Sequence, residues 1–138
     1  MANWTDSLGA DIRLPGGGQP LPTTASGDLQ LVRGRNTVRQ AMRRRMGTVP
    51  GTLVHRPSFG AGLPAMVEVQ STPGDRAQLA AVMRQQARED SRVGAASASV
   101  AAGTPDDARA LGVTASLSYQ LARAPEGERE TLTLAVAE

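Results

Sequence analysis

Between residues 113 and 123 apolar side chains fall on every second position: Val113, Ala115, Leu117, Tyr119 and Leu121. A period of two places all five on one face of a strand, and that face has to be covered. Residues 131–136 repeat the pattern through Leu132, Leu134 and Val136, and the intervening ARAPEGERE, 122–130, reads as a charged hairpin loop. Residues 92–102, rich in Ala, Ser and Val, read as a third strand. Its thin segment 94–103 suits either an interior strand under a helix, which is the preferred reading, or close approach by another element.

Two helices supply the cover. In residues 37–46, Val38, Ala41, Met42 and Met46 recur at the offsets of one helix face, with Asn36 as N-cap and Gly47 as stop. In residues 75–89, Leu79, Val82 and Met83 form the apolar face, extended by Gln86 and Ala87. Arg84 and Arg88 belong to its outer face, and Asp75 sits at the positive end of the helix dipole. The expected class is α+β, two helices packed on a largely antiparallel sheet.

Upstream, Ile12-Arg13-Leu14 and Leu29-Gln30-Leu31 flank a Gly/Pro/Ser/Thr stretch. They read as an irregular hairpin, the alternative being an arm ordered only near Asp28. Residues 48–62 hold Pro50, Pro57, Gly51, Gly60 and Gly62, and so form an ordered but irregular connection. The segment 63–69 is too short to classify, and the link 103–112 has room for a helical turn near 106–111. Without an internal repeat or a shift in composition, 138 residues make one domain over 27–138, preceded by an arm over 1–26. With one Trp, one Tyr and one Phe, its core must be built from Leu, Val, Met and Ala.

The sequence pI of about 10.3 overstates the basic character of a chain whose net charge is +2. All fifteen basic residues are arginines, so almost nothing titrates between neutrality and the arginine range. Cysteine is absent, which excludes disulfides and thiolate metal sites. No apolar run is long enough for a membrane span, and the N-terminus has no basic-then-apolar leader. The single histidine, His55, lies in the irregular connection with no G-x-S-x-G stretch to serve, and no acidic cluster suits a metal. A glycosidase would need aromatic platforms that this chain lacks, and PGGGQP has neither the Lys nor the strand-to-helix context of a phosphate loop. No cofactor is expected. One cluster stands out: Arg35, Arg39, Arg43, Arg44 and Arg45 on the first helix. It suits phosphate, or forked hydrogen bonds to carboxylates and carbonyls of a protein partner.

The second option is what a resemblance, carried by the order and spacing of several segments, implies. Gly27-Asp28-Leu29 leads to Gly34, then to Gln40-Ala41 and Arg44-Arg45 on the helix. Thr48-Val49-Pro50-Gly51 follows, and then Pro57-Ser58-Phe59-Gly60-Ala61-Gly62-Leu63. Together these resemble the small baseplate wedge protein family of contractile phage tails, from about Gly9 to the C-terminus. That family carries a Glu-Pro-Arg triplet at the end of the next helix; here Asp90-Ser91-Arg92 stands in its place, with the arginine kept, the acid shortened and the proline replaced.

The resemblance implies a non-enzymatic structural protein with a fold similar to the polymerising domain of the tail sheath. It also implies a place in the tail baseplate of a virion assembled in the host cytoplasm, with counterparts in type VI secretion and other contractile injection systems. The implied partners are the larger wedge proteins, through their helical core bundle, and sheath subunits that add strands to its sheet; hub and tube proteins are further candidates. The implied contact residues are Asp90, Ser91 and Arg92, assisted by Arg44, Arg45 and Gln40, on a surface shaped by Pro50, Gly51, Pro57, Gly60 and Gly62. Two rivals are a nucleic-acid-binding protein using Arg35 to Arg45 and a lysozyme-like peptidoglycan hydrolase.

Overall fold

The computed structural model describes residues 4–16, 18–66, 72–103, 112–126 and 128–137. They form two compact units, Met1–Ala41 and Met42–Glu138. The class is α+β, with two α-helices and two antiparallel sheets of two and three strands among the described residues.

In the first unit a 3-10 turn, Trp4–Leu8, buries Leu8 and precedes the hairpin of β1 (Ala10–Ile12) and β2 (Leu31–Arg33). The expected hairpin is present, but its strands sit about two residues outward from 12–14 and 29–31. The Leu14 N–H bonds the Gln40 side chain instead of a strand, and Leu29 pairs with Thr23 in an inner bridge closed by a turn through Gly27. Gly34, at φ +62°, turns the chain out of β2 into helix α1 (Arg35–Gly47). Asn36 therefore lies inside the helix and is not its N-cap. Thr37, one residue on, is buried and donates its hydroxyl to the Val32 carbonyl oxygen at 2.9 Å.

The second unit opens with the last turn of α1, where Met42 and Met46 are fully buried, as their spacing predicts. After residues 48–62 a 3-10 turn (Leu63–Met66) leads to α2 (Pro73–Arg88). Thr72 and Asp75 start α2 with a capping box: the Thr72 hydroxyl accepts from the Asp75 N–H, and the Asp75 carboxylate accepts from the Thr72 N–H. Leu79, Met83, Gln86 and Ala87 are buried, Val82 is half-buried, and Arg84 and Arg88 are exposed.

Strands β3 (Val93–Ala102), β4 (Gly112–Leu121) and β5 (Glu130–Ala137) pair antiparallel in the order β3-β4-β5. The alternation of β4 appears as predicted: Val113, Ala115, Leu117, Tyr119 and Leu121 are buried, with Thr114, Ser116, Ser118 and Gln120 half-buried between them. Helix α2 packs on β3 and, more lightly, on β4. The thin strand is thus next to a helix, but it is not interior. Among the described strands β4 takes the centre and β3 an edge: β4 carries a buried apolar residue at every inward position, whereas β3 is built mostly of alanine and serine. The turn expected near 106–111 lies outside the described residues.

Candidate protein-docking site

The irregular connection 48–62 is held against the end of α1 by backbone bonds. The Thr48 N–H and hydroxyl both bond the Arg44 carbonyl oxygen, at 3.0 and 2.6 Å. Ala61 N–H reaches the Arg45 carbonyl, and Gly62 N–H the Thr48 carbonyl, each at 3.0 Å. These bonds satisfy carbonyls that a helix end leaves without partners. Gly51 N–H bonds the Pro57 carbonyl at 2.8 Å, so Pro50-Gly51 and Pro57 close the loop upon itself. A side chain at Gly60 would overlap the Thr48 carbonyl, and one at Gly62 would press on the Pro50 ring. The Thr-x-Pro-Gly and Pro-x-x-Gly-x-Gly-Leu segments are therefore two halves of one device.

Gln86 of α2 fastens that device from the other side. Its Oε1 accepts from Gly60 N–H at 3.0 Å, and its Nε2 donates to the Ser58 carbonyl at 3.0 Å. Arg45 adds a longer bond to Gln86 Oε1, at 3.4 Å, and reaches Glu89 Oε2 at the same distance. Its guanidinium lies 4.5 Å from the centre of the Phe59 ring, which Arg56 also meets at 4.7 Å. Arg45 is only 6% exposed, whereas Arg43 and Arg44 are exposed. Burial pulls its pKa below the usual arginine value; the Asp90 and Glu89 carboxylates oppose this, and Arg56 and Arg92 add to it. An arginine remains cationic at neutral pH under such a shift.

The Asp90-Ser91-Arg92 triplet forms the turn between α2 and β3. The buried Asp90 carboxylate accepts from Arg92 Nε at 2.9 Å, Arg92 NH2 at 2.7 Å and the Arg92 backbone N–H at 3.0 Å. Burial by itself would raise the Asp90 pKa. The bonds from Arg92, with the Arg92 and Arg45 charges, outweigh it and hold the carboxyl below its ordinary value. The acid and the base of the triplet therefore close on each other: Asp90 is buried, the Arg92 side chain is 28% exposed and Ser91 is exposed.

Gln40 works in the first unit. Its Nε2 donates to the Ile12 carbonyl at 2.8 Å and to Asp11 Oδ2 at 3.3 Å, while its Oε1 accepts from Leu14 N–H at 2.9 Å. Sequence reasoning placed Gln86 on an apolar face without seeing its bonds, and missed Phe59 and Glu89 as partners of Arg45. The available signal was an amide, Gln86, at an inward helix position where an apolar residue is expected. His55 is exposed, and among the described residues no group of three His, Asp or Glu could hold a metal ion. Among the same residues no helix is long and apolar enough to cross a membrane.

No protein-family model matches the chain, and no curated protein does. Solved structures do match. A chain of the baseplate complex from the type VI secretion system superposes with a TM-score of 0.56 at 19% identity, over 75% of this chain and 93% of its own length. The likeness is one of fold. A chain of the six-fold symmetrised baseplate of the anti-feeding prophage gives a TM-score of 0.57 at 13% identity, over 97% of this chain and 90% of its own. The similarity thus extends over nearly the whole of both chains in the second case.

Proposed function

We propose that the chain is a structural subunit of a contractile-tail baseplate, a wedge protein that binds larger wedge proteins and templates the first sheath ring. The observation that carries this is the nearly full-length likeness of fold to a chain of the anti-feeding prophage baseplate, supported by the type VI secretion match. The order of sequence segments that resembles the wedge family points the same way. In this reading residues 27–138 are the wedge domain and 1–26 its arm, placed in a tail baseplate assembled inside the producing cell.

In this reading the contact residues divide by role. Arg92, Ser91 and Arg44 reach the surface and meet the wedge partner. Asp90 and Arg45 hold that surface from below, and the loop closed by Pro50, Gly51, Pro57, Gly60 and Gly62 gives it shape. Sheath subunits are received at the edges of the three-stranded sheet, β3 and β5, where backbone groups face away from β4. A cluster in which Arg45 is buried and bonded to its own protein is a poor phosphate reader, so the nucleic-acid alternative gains nothing from the structure.

Arg92→Ala tests the wedge contact. The variant should stay folded, with about 1–2 kcal/mol less stability from the weakened turn, while its recovery in baseplates isolated from producing cells falls sharply. Recovery at the wild-type level would remove Arg92 from the contact.

A further inference from the structure

The closed loop carries at its tip the wrong residues for water. Leu53 and Arg56 bracket a turn, with Arg56 N–H bonded to the Leu53 carbonyl at 3.1 Å, and Val54 and His55 occupy its two central positions. Exposed turns favour Gly, Pro, Asn, Asp and Ser, and a β-branched apolar residue gains nothing there. Yet Val54 is 87% exposed, Leu53 43% and Val49 39%.

Nor is this a loose excursion. The Gly51–Pro57 bond shuts its neck, Thr52 bonds back to Val49 through both N–H and hydroxyl, Phe59 N–H bonds the Arg56 carbonyl, and Gln86 fixes Ser58 and Gly60. An apolar tip on a backbone ordered in advance loses little entropy on binding.

Its surroundings select the chemistry of what it meets. Residues 43–62 contain Arg43, Arg44, Arg45, His55 and Arg56 and no carboxylate. Arg43 and Arg56 are exposed, and the carboxylates at the base, Glu89 and Asp90, are engaged by Arg45 and Arg92. We infer that Leu53 and Val54 form an anchor that inserts into an apolar pocket of a protein partner, and that the pocket is rimmed by carboxylates facing Arg56. This concerns the partner's surface chemistry and does not depend on the baseplate reading.

The test is photo-crosslinking in cells that naturally make the chain. A benzophenone amino acid replaces Val54, Arg92 or, as control, the exposed Gln78 of α2, and adducts are mapped by mass spectrometry. The inference expects one dominant adduct from position 54, on a peptide that combines apolar residues with Asp or Glu. Its yield should fall about ten-fold in an Arg56→Glu background, with the melt still cooperative, so that loss of the Arg56–Phe59 contact is not mistaken for unfolding. No adduct at position 54 above the position 78 level overturns the inference, as does an adduct on a basic peptide or one indifferent to Arg56→Glu. An adduct from position 92 alone, on a baseplate protein, overturns the anchor and leaves the baseplate reading standing. A position 54 adduct of the expected kind on a protein outside any baseplate supports the anchor and overturns that reading.

Discussion

At Gly60 the backbone turns with φ +112°, a conformation open to glycine and strained for other residues, and a Cβ there would overlap the Thr48 carbonyl. The clash is with backbone, so no side-chain adjustment relieves it. Gly60→Ala should cost about 2–5 kcal/mol in urea unfolding and release the loop from Gln86. Asp90 gives a second prediction, one about pH. Its carboxyl pKa is lowered in the folded protein, so its contribution to stability is complete above the ordinary value of about 3.9. That contribution is lost as pH falls through the lower folded value. The stability gap between wild type and Asp90→Asn should therefore be constant above about pH 5 and close below about pH 4, as read from denaturation midpoints across that range. A gap that widens in acid would mean that Asp90 is not held by Arg92.

Among the elements, α2 carries most of the organisation of the second unit: it packs on the sheet, fastens the loop through Gln86 and ends in the Asp90 turn. Its capping box makes its start testable. Thr72→Ala removes the hydroxyl that accepts from Asp75 N–H, and should lower stability by about 1 kcal/mol; the thermal melt reads this directly. The elements themselves were largely legible in the sequence, because periods of 3.6 and 2 report local geometry. Leu79, Met83 and Ala87 on α2 and the five inward residues of β4 lie where spacing places them. What spacing could not report was set by residues distant in the chain. Arg45 is buried because Gln86 and Glu89, 41 and 44 positions away, bond it. The outward shift of β1 and β2 follows from Gln40 taking the Leu14 N–H from 26 positions away. The place of β3 at a sheet edge depends on which strand has the apolar mass to sit in the middle, a comparison between strands that no single window contains.

For the molecule as a whole, the core is built from Leu, Val, Met and Ala around one fully buried aromatic, Tyr119. Of the segments by which the sequence resembles a wedge protein, those in the second unit, Thr-x-Pro-Gly, Pro-x-x-Gly-x-Gly-Leu, Arg45 and the Asp90-Ser91-Arg92 turn, are coupled where α1 and α2 end, with Gln86 as the fastener. The function proposed for this chain is to start sheath assembly on a baseplate. Its most direct test is electron microscopy of particles from cells in which the coding sequence has been deleted, with sheathed particles counted against wild type. The account predicts that sheathed particles disappear and return when the wild-type chain is supplied; full sheaths at wild-type numbers in its absence would contradict it.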